Sequence, residues 1–170
     1  MRSSLTRIWD HLAWSAARLD RRLADAASEE VGLPGQEAHE EALRLLAHLV
    51  YAERIWLDRI AAGTSDHPVW PDPDHPPSLE AIRALQEGTL AEGRALLREA
   101  ETDLAQTVRY QNSSGTAFEA ELGDLLLHVG LHGAYHRGQV ARLLRQGGLE
   151  PVNTDYITWV RAGSPSPAPR

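Results

Sequence analysis

The residues best able to do chemistry in this chain are histidines. His132 and His136 stand four apart in the string HGAYHRGQ, and His128 lies one helical turn earlier. On a helix, residues i and i+4 sit one above the other on the same face. Two imidazoles so placed can reach one metal ion. Spacing alone does not separate such a pair from coincidence, because the chain holds eight histidines. The neighbouring pattern adds weight. Leu122, Leu125, Leu126 and Val129, then Val140, Leu143 and Leu144, recur at intervals of three and four around the pair, with Phe118 leading the stripe. His132 and His136 therefore fall where core leucines are expected. Buried imidazoles need partners for their nitrogens, and a metal supplies one to each ring.

A third donor is available upstream. His48 lies on the flank of the stripe Leu45, Leu49, Ala52 and Trp56. Three histidines from two helices leave a divalent cation with open positions, the pattern of catalytic sites. Neutral ligands leave its double charge unbalanced, so a bound water or thiol loses its proton more readily. His128 and Gln139 are candidates for outer partners that orient these rings, and Glu41, Glu53 and Asp124 are possible carboxylate partners. His11, His39, His67 and His75 are expected to face solvent or loops, and Arg137 to face outward against an acid. Trp9, Trp14 and Trp56 read as core anchors. Trp70 in the connector reads as packing over the bundle, with capping of a pocket as the alternative.

Composition removes other chemistries. There is no cysteine, so thiolate ligands, disulfides and a protein thiol nucleophile are excluded. The chain has no lysine, its permanent positive charge being all arginine, which excludes a lysine Schiff base. The formal net charge of −7 argues against nucleic acid as the main partner. No apolar run approaches the roughly 20 residues of a membrane span. The opening MRSSLTRIWDHLAW lacks a continuous apolar stretch of the signal-peptide kind. A cytoplasmic protein is expected.

The elements that must position the histidines are helices. Hydrophobic periodicity predicts helices over about 4–27, 36–62, 79–108 and 117–146, with a short helical turn at 155–160 and no competing strand pattern. Val31-Gly32-Leu33-Pro34-Gly35 reads as a break, Ser78 as an N-cap and Asn112-Ser113-Ser114-Gly115 as a turn. The Pro-rich connector from Thr64 to Pro77 is long enough to let its flanking helices run parallel. The result is one all-α domain over 1–162, a four-helix bundle, with residues 163–170 as a disordered tail.

At this point the residues carry a resemblance. HVGLHGAYHRGQVARLLRQGG followed by EPVNTDYITW resembles the C-terminal signature of the DinB/YfiT-like superfamily. HLVYAERIWLDRI and WDHLAWSAARLDRRL resemble its second and first helices, and the likeness spans about residues 5 to 160. It implies a bundle of up-down-down-up order with a long crossover between helices two and three. It implies a divalent metal, commonly zinc or nickel, on His48, His132 and His136, and a homodimer. Characterised members include bacillithiol S-transferases and a mycothiol-dependent maleylpyruvate isomerase. A metal-dependent enzyme that uses a low-molecular-weight thiol is therefore the leading expectation. A metal-dependent hydrolase and a non-catalytic, stress-related metal- or small-molecule-binding protein are the alternatives. The connector matches no pattern of the family. Trp14-Ser15-Ala16 stands where relatives often carry an asparagine.

Overall fold

The computed structural model describes residues 2–29, 32–99 and 103–166. Among them are five α-helices and one two-stranded hairpin. Helix α1 is Arg2–Ala26, α2 is Leu33–Ala62, α3 is Leu79–Arg98, α4 is Leu122–Gln146 and α5 is Tyr156–Arg161. The strands are β1 (Thr107–Gln111) and β2 (Ala117–Glu121). None of the described helices is long and apolar enough to cross a membrane.

Contacts between named side chains fix the directions of the four long helices. Arg2 reaches the carbonyl of Leu97, Asp10 pairs with Arg94, and Arg83 bonds the carbonyl of Asp20. Rising numbers on α1 meet falling numbers on α3, so these two are antiparallel. Trp9 donates its indole N–H to the carbonyl of Leu126, while Leu12 lies beside Gly133, so α1 and α4 run parallel. Trp56 meets His128 and His48 meets His136, so α2 opposes α4. The order is up-down-down-up, and α2 and α3 are parallel. The connector makes this possible by returning along the outside of α2. His67 sits by Tyr51, Val69 and Trp70 by His48, and Pro71 to Pro77 by residues 37–47.

The apolar core is split in two. One cluster holds Leu23, Leu46, Leu49, Ile82, Val140 and Leu144. The other holds Trp9, Leu12, Leu57, Leu97, Leu122 and Leu126. Between them lies a polar waist in which Ser15, Glu53, Gln86, Thr89, His136 and Arg137 are buried. Close approach at this level needs small residues. A Cβ on Gly93 would stand 2.0 Å from the ring of Trp9, and one on Gly133 would stand 2.9 Å from both Leu12 and Arg137.

Several expectations are corrected. Helix α3 stops at Arg98 and α4 starts at Leu122, because 107–121 forms an antiparallel hairpin. Val108 and Tyr110 alternate inward with Arg109 between them, a period of two that propensity for helix in AFEAE obscures. The turn is built by Asn112, whose side-chain oxygen accepts from the N–H groups of Ser114 and Thr116. Gly115 takes φ +81° there. Phe118 thus belongs to β2, where it is largely exposed, and not to the α4 stripe. Leu33, Pro34 and Gly35 open α2 instead of breaking it, since proline is tolerated in a first helical turn; Val31 lies outside the described residues. In the tail, the Trp159 indole donates to the carbonyl of Pro165, and residues 167–170 lie outside the described part.

Candidate metal centre

The antiparallel pair α2 and α4 brings His48, His132 and His136 together. Each offers one nitrogen, and the three nitrogens lie within 4.8 Å of one another. His48 and His136 are buried and His132 is half-buried.

Hydrogen bonds fix which nitrogens face inward. His48 Nδ1–H donates to the carbonyl oxygen of Val69 at 2.6 Å. His136 Nδ1–H donates to Gln139 Oε1 at 2.8 Å. Both rings therefore keep a bare Nε2 for a cation. His132 Nε2 lies 3.0 Å from His136 Nε2. Burial, helped by the nearby His136, His128 and His48 rings, pushes the pKa of His132 down to about 4. Burial also lowers that of His136, against the opposing pull of Gln139. Two imidazoles neutral at pH 7 are the form in which histidine ligates a metal.

The residues fit a divalent ion. Nitrogens about 2.0–2.1 Å from one cation are at most about 4 Å apart. The His132–His136 pair already meets this, and the third nitrogen needs only a small shift. No carboxylate belongs to the set, so the donors are three neutral nitrogens with positions left for further ligands.

Around this set the sequence-based assignments divide. Gln139 accepts a hydrogen bond from the His136 ring. His128 is exposed and makes ring contact with His132 at 5.5 Å and Trp56 at 4.8 Å. The expected carboxylate partners are replaced by the Val69 carbonyl and the Gln139 amide. Glu41 pairs with Arg44, and Asp124 is exposed in the first turn of α4. Glu53 is 1% exposed and sits deeper, beside Gly133 and Arg137. Arg137 is itself buried, contrary to expectation, because Glu53 lies inside the bundle and draws it in. Burial pulls its guanidinium down to about 10, with Glu53 opposing. His11 is also buried, donating Nε2–H to the carbonyl of Thr154 and packing against Trp14, Tyr156 and Trp159. His39 is half-buried and donates to the carbonyl of Leu23, whereas His67 and His75 are exposed in the connector.

Sequence reasoning missed the contribution of the connector. Trp70 stacks on His48 with centroids 3.8 Å apart and planes 13° apart, and the Arg44 guanidinium lies 5.2 Å from the Trp70 ring centroid. The signal was present as a lone tryptophan among prolines opposite an α2 histidine, but nothing in the spacing gave the direction in which the connector returns.

Comparison with known proteins shows a family. Protein DinB of Bacillus subtilis (strain 168) is 23% identical over 164 residues, covering 88% of this chain and 90% of that protein. No solved structure gives a significant match. The model of the DinB family matches residues 1–164, nearly the whole chain. The chain belongs to the DinB family.

Proposed function

We propose that this protein is a metal-dependent transferase of low-molecular-weight thiols, with His48, His132 and His136 as the metal ligands. The observation that carries the reading is the convergence of three imidazole nitrogens with no carboxylate among them. A divalent cation such as zinc or nickel, when bound there, supplies Lewis acidity that favours the deprotonated form of a thiol. The chain's own residues hold the donors ready. The Val69 carbonyl and Gln139 select the Nδ1–H tautomers of His48 and His136. Trp70 restrains the His48 ring by stacking on it, and Arg44 lies over Trp70. The reaction class is substitution at an electrophilic carbon. The thiol S–H proton passes to solvent, the sulfur forms an S–C bond, and the leaving group departs as an anion with the electron pair of its broken bond to carbon. A cytoplasmic homodimer belongs to the same reading, with the family likeness as its support.

The test begins with protein purified without a nickel column. Elemental analysis is expected to find one divalent metal per chain, lost in His132→Ala. The loaded protein is then offered several biological thiols with 1-chloro-2,4-dinitrobenzene, and conjugation above the uncatalysed rate is expected with one of them. Absence of stoichiometric metal, or its full retention in His132→Ala, refutes the site. Silence with every thiol refutes the transferase.

A further inference from the structure

The side of α4 turned away from the triad borders a cavity of its own. At about 100° per residue, Ala134 and Gly138 fall on the helix face opposite His132 and His136. The cavity there measures about 300 Å³ and lies between α1, α4 and the start of α5. Ile8, His11, Leu131 and Tyr156 are among its walls, the exposed Asp155 borders it, and Arg137 also lines it.

Arg137 is the member that packing does not explain. It is 3% exposed, and its Nη1 is buried without a hydrogen-bond partner among the described residues. Glu53 attracts it from within the bundle. Neither Glu53 oxygen has a hydrogen-bond partner among the described residues, so the two do not make a bonded pair. A buried guanidinium left without an acceptor bears the full cost of its desolvation, and its planar fork matches a carboxylate. The charge is felt at the cavity. Burial lowers the pKa of His11, and Arg137, which lines the same space, adds to that. The other polar groups are engaged elsewhere. His11 Nε2–H donates to the Thr154 carbonyl, and the Tyr156 hydroxyl accepts from Arg7 Nε at 3.1 Å.

We propose that this cavity binds a small organic acid, with its carboxylate on the Arg137 guanidinium and its apolar body against Ile8, Leu131 and Tyr156. The site is separate from the histidine triad and needs no metal. Asp155 is the one acid among the lining residues, and it limits affinity by repulsion.

The probe is benzoate, with benzamide as its uncharged counterpart, titrated into the full chain after metal is stripped by a chelator. Stripping keeps the carboxylate from binding a cation on the triad instead. Trp14 and Trp159 each lie 5.8 Å from the His11 ring, and their indole N–H signals are expected to shift, with Trp56 and Trp70 unmoved. Benzoate is expected to bind roughly tenfold more tightly than benzamide, the difference made by a hydrogen-bonded charge. Ala134→Leu fills the cavity from an exposed helix position and is expected to weaken benzoate roughly tenfold by steric overlap. Asp155→Asn removes a carboxylate that caps no N–H of α5, and is expected to tighten benzoate about two- to threefold at low salt. Arg137→Gln is expected to bring benzoate down to the level of benzamide. Circular dichroism checks that it folds, and the two surface variants decide the matter if it does not. Absent binding, shifts confined to Trp56 and Trp70, equal affinity for benzamide, or no loss in Ala134→Leu overturns the site. Weaker binding in Asp155→Asn overturns it as well.

Discussion

Replacing Glu53 by glutamine is expected to change how stability depends on pH, in a direction the buried waist dictates. Glu53 is 1% exposed, and neither carboxylate oxygen has a hydrogen-bond partner among the described residues. Burial drives its pKa up from 4.5 to about 7; the attraction of Arg137 and contact with Gln86 oppose this, and Asp20 adds to it. A carboxyl raised on folding binds its proton more tightly in the native state. Its contribution to stability is therefore full below the unfolded value near 4.5 and is lost as pH rises through about 7. At about 1.36 kcal/mol per pH unit the loss totals about 3 kcal/mol, most of it between pH 5 and 7. Glutamine cannot ionise, so Glu53→Gln does not suffer this loss. The raw profile of either protein also contains the histidines. His11, His128, His132 and His136 are all lowered by burial and push stability upward with pH. Because both proteins share them, they cancel in the difference. Urea unfolding with chelator present, at pH 5, 6, 7 and 8, measures that difference. The variant is expected to gain roughly 2–3 kcal/mol on the wild type between pH 5 and 8, a relative midpoint shift of about 1–2 M at ordinary urea slopes. A difference that is flat, or that falls with pH, refutes the reasoning and means that Glu53 keeps its charge beside Arg137.

Gln139→Leu removes the acceptor that fixes the His136 ring and is expected to weaken metal affinity about 10- to 100-fold, read by competition with a chromophoric chelator. Unchanged affinity would mean the ring needs no such restraint. Gly93→Ala places a methyl 2.0 Å from the buried Trp9 ring. Overpacking of about 1–3 kcal/mol exceeds the gain of about 1 kcal/mol in helix propensity, so Tm is expected to fall by a few degrees; a raised Tm contradicts the packing described. Loading metal to about 1,000 times Kd is expected to add about 4 kcal/mol to unfolding free energy, and a chelator should remove it. Identical thermal scans with and without metal would show that the triad binds none.

Much of this architecture was legible in the chain because its signals are periodic. His48, His132 and His136 stood on apolar stripes, and two antiparallel helices suffice to bring such positions together. Ser78 and Asn112 announced a helix start and a turn through side-chain chemistry that acts within four residues. What escaped depends on partners distant in sequence. Arg137 looks like a surface residue until Glu53 is found inside the bundle 84 positions earlier in the chain. His11 is buried because Thr154 and two aromatic residues of the C-terminal segment close over it. The hairpin was hidden because AFEAE has helical composition and takes strand form only through its pairing with TVRYQ.

The connector that returns along α2 also changes what kind of object the histidine cluster is. His48 takes its orientation from a carbonyl 21 residues further on, in a stretch without helix or strand. Peeling that stretch away would free the ring to rotate and uncover its stacked face at the same moment. If a cation is held on His48 as proposed, its release and local opening of residues 64–77 become coupled events, visible together in amide exchange. Substitutions at prolines of the crossover would then tune how tightly the proposed ion is kept, without altering any of the three histidines.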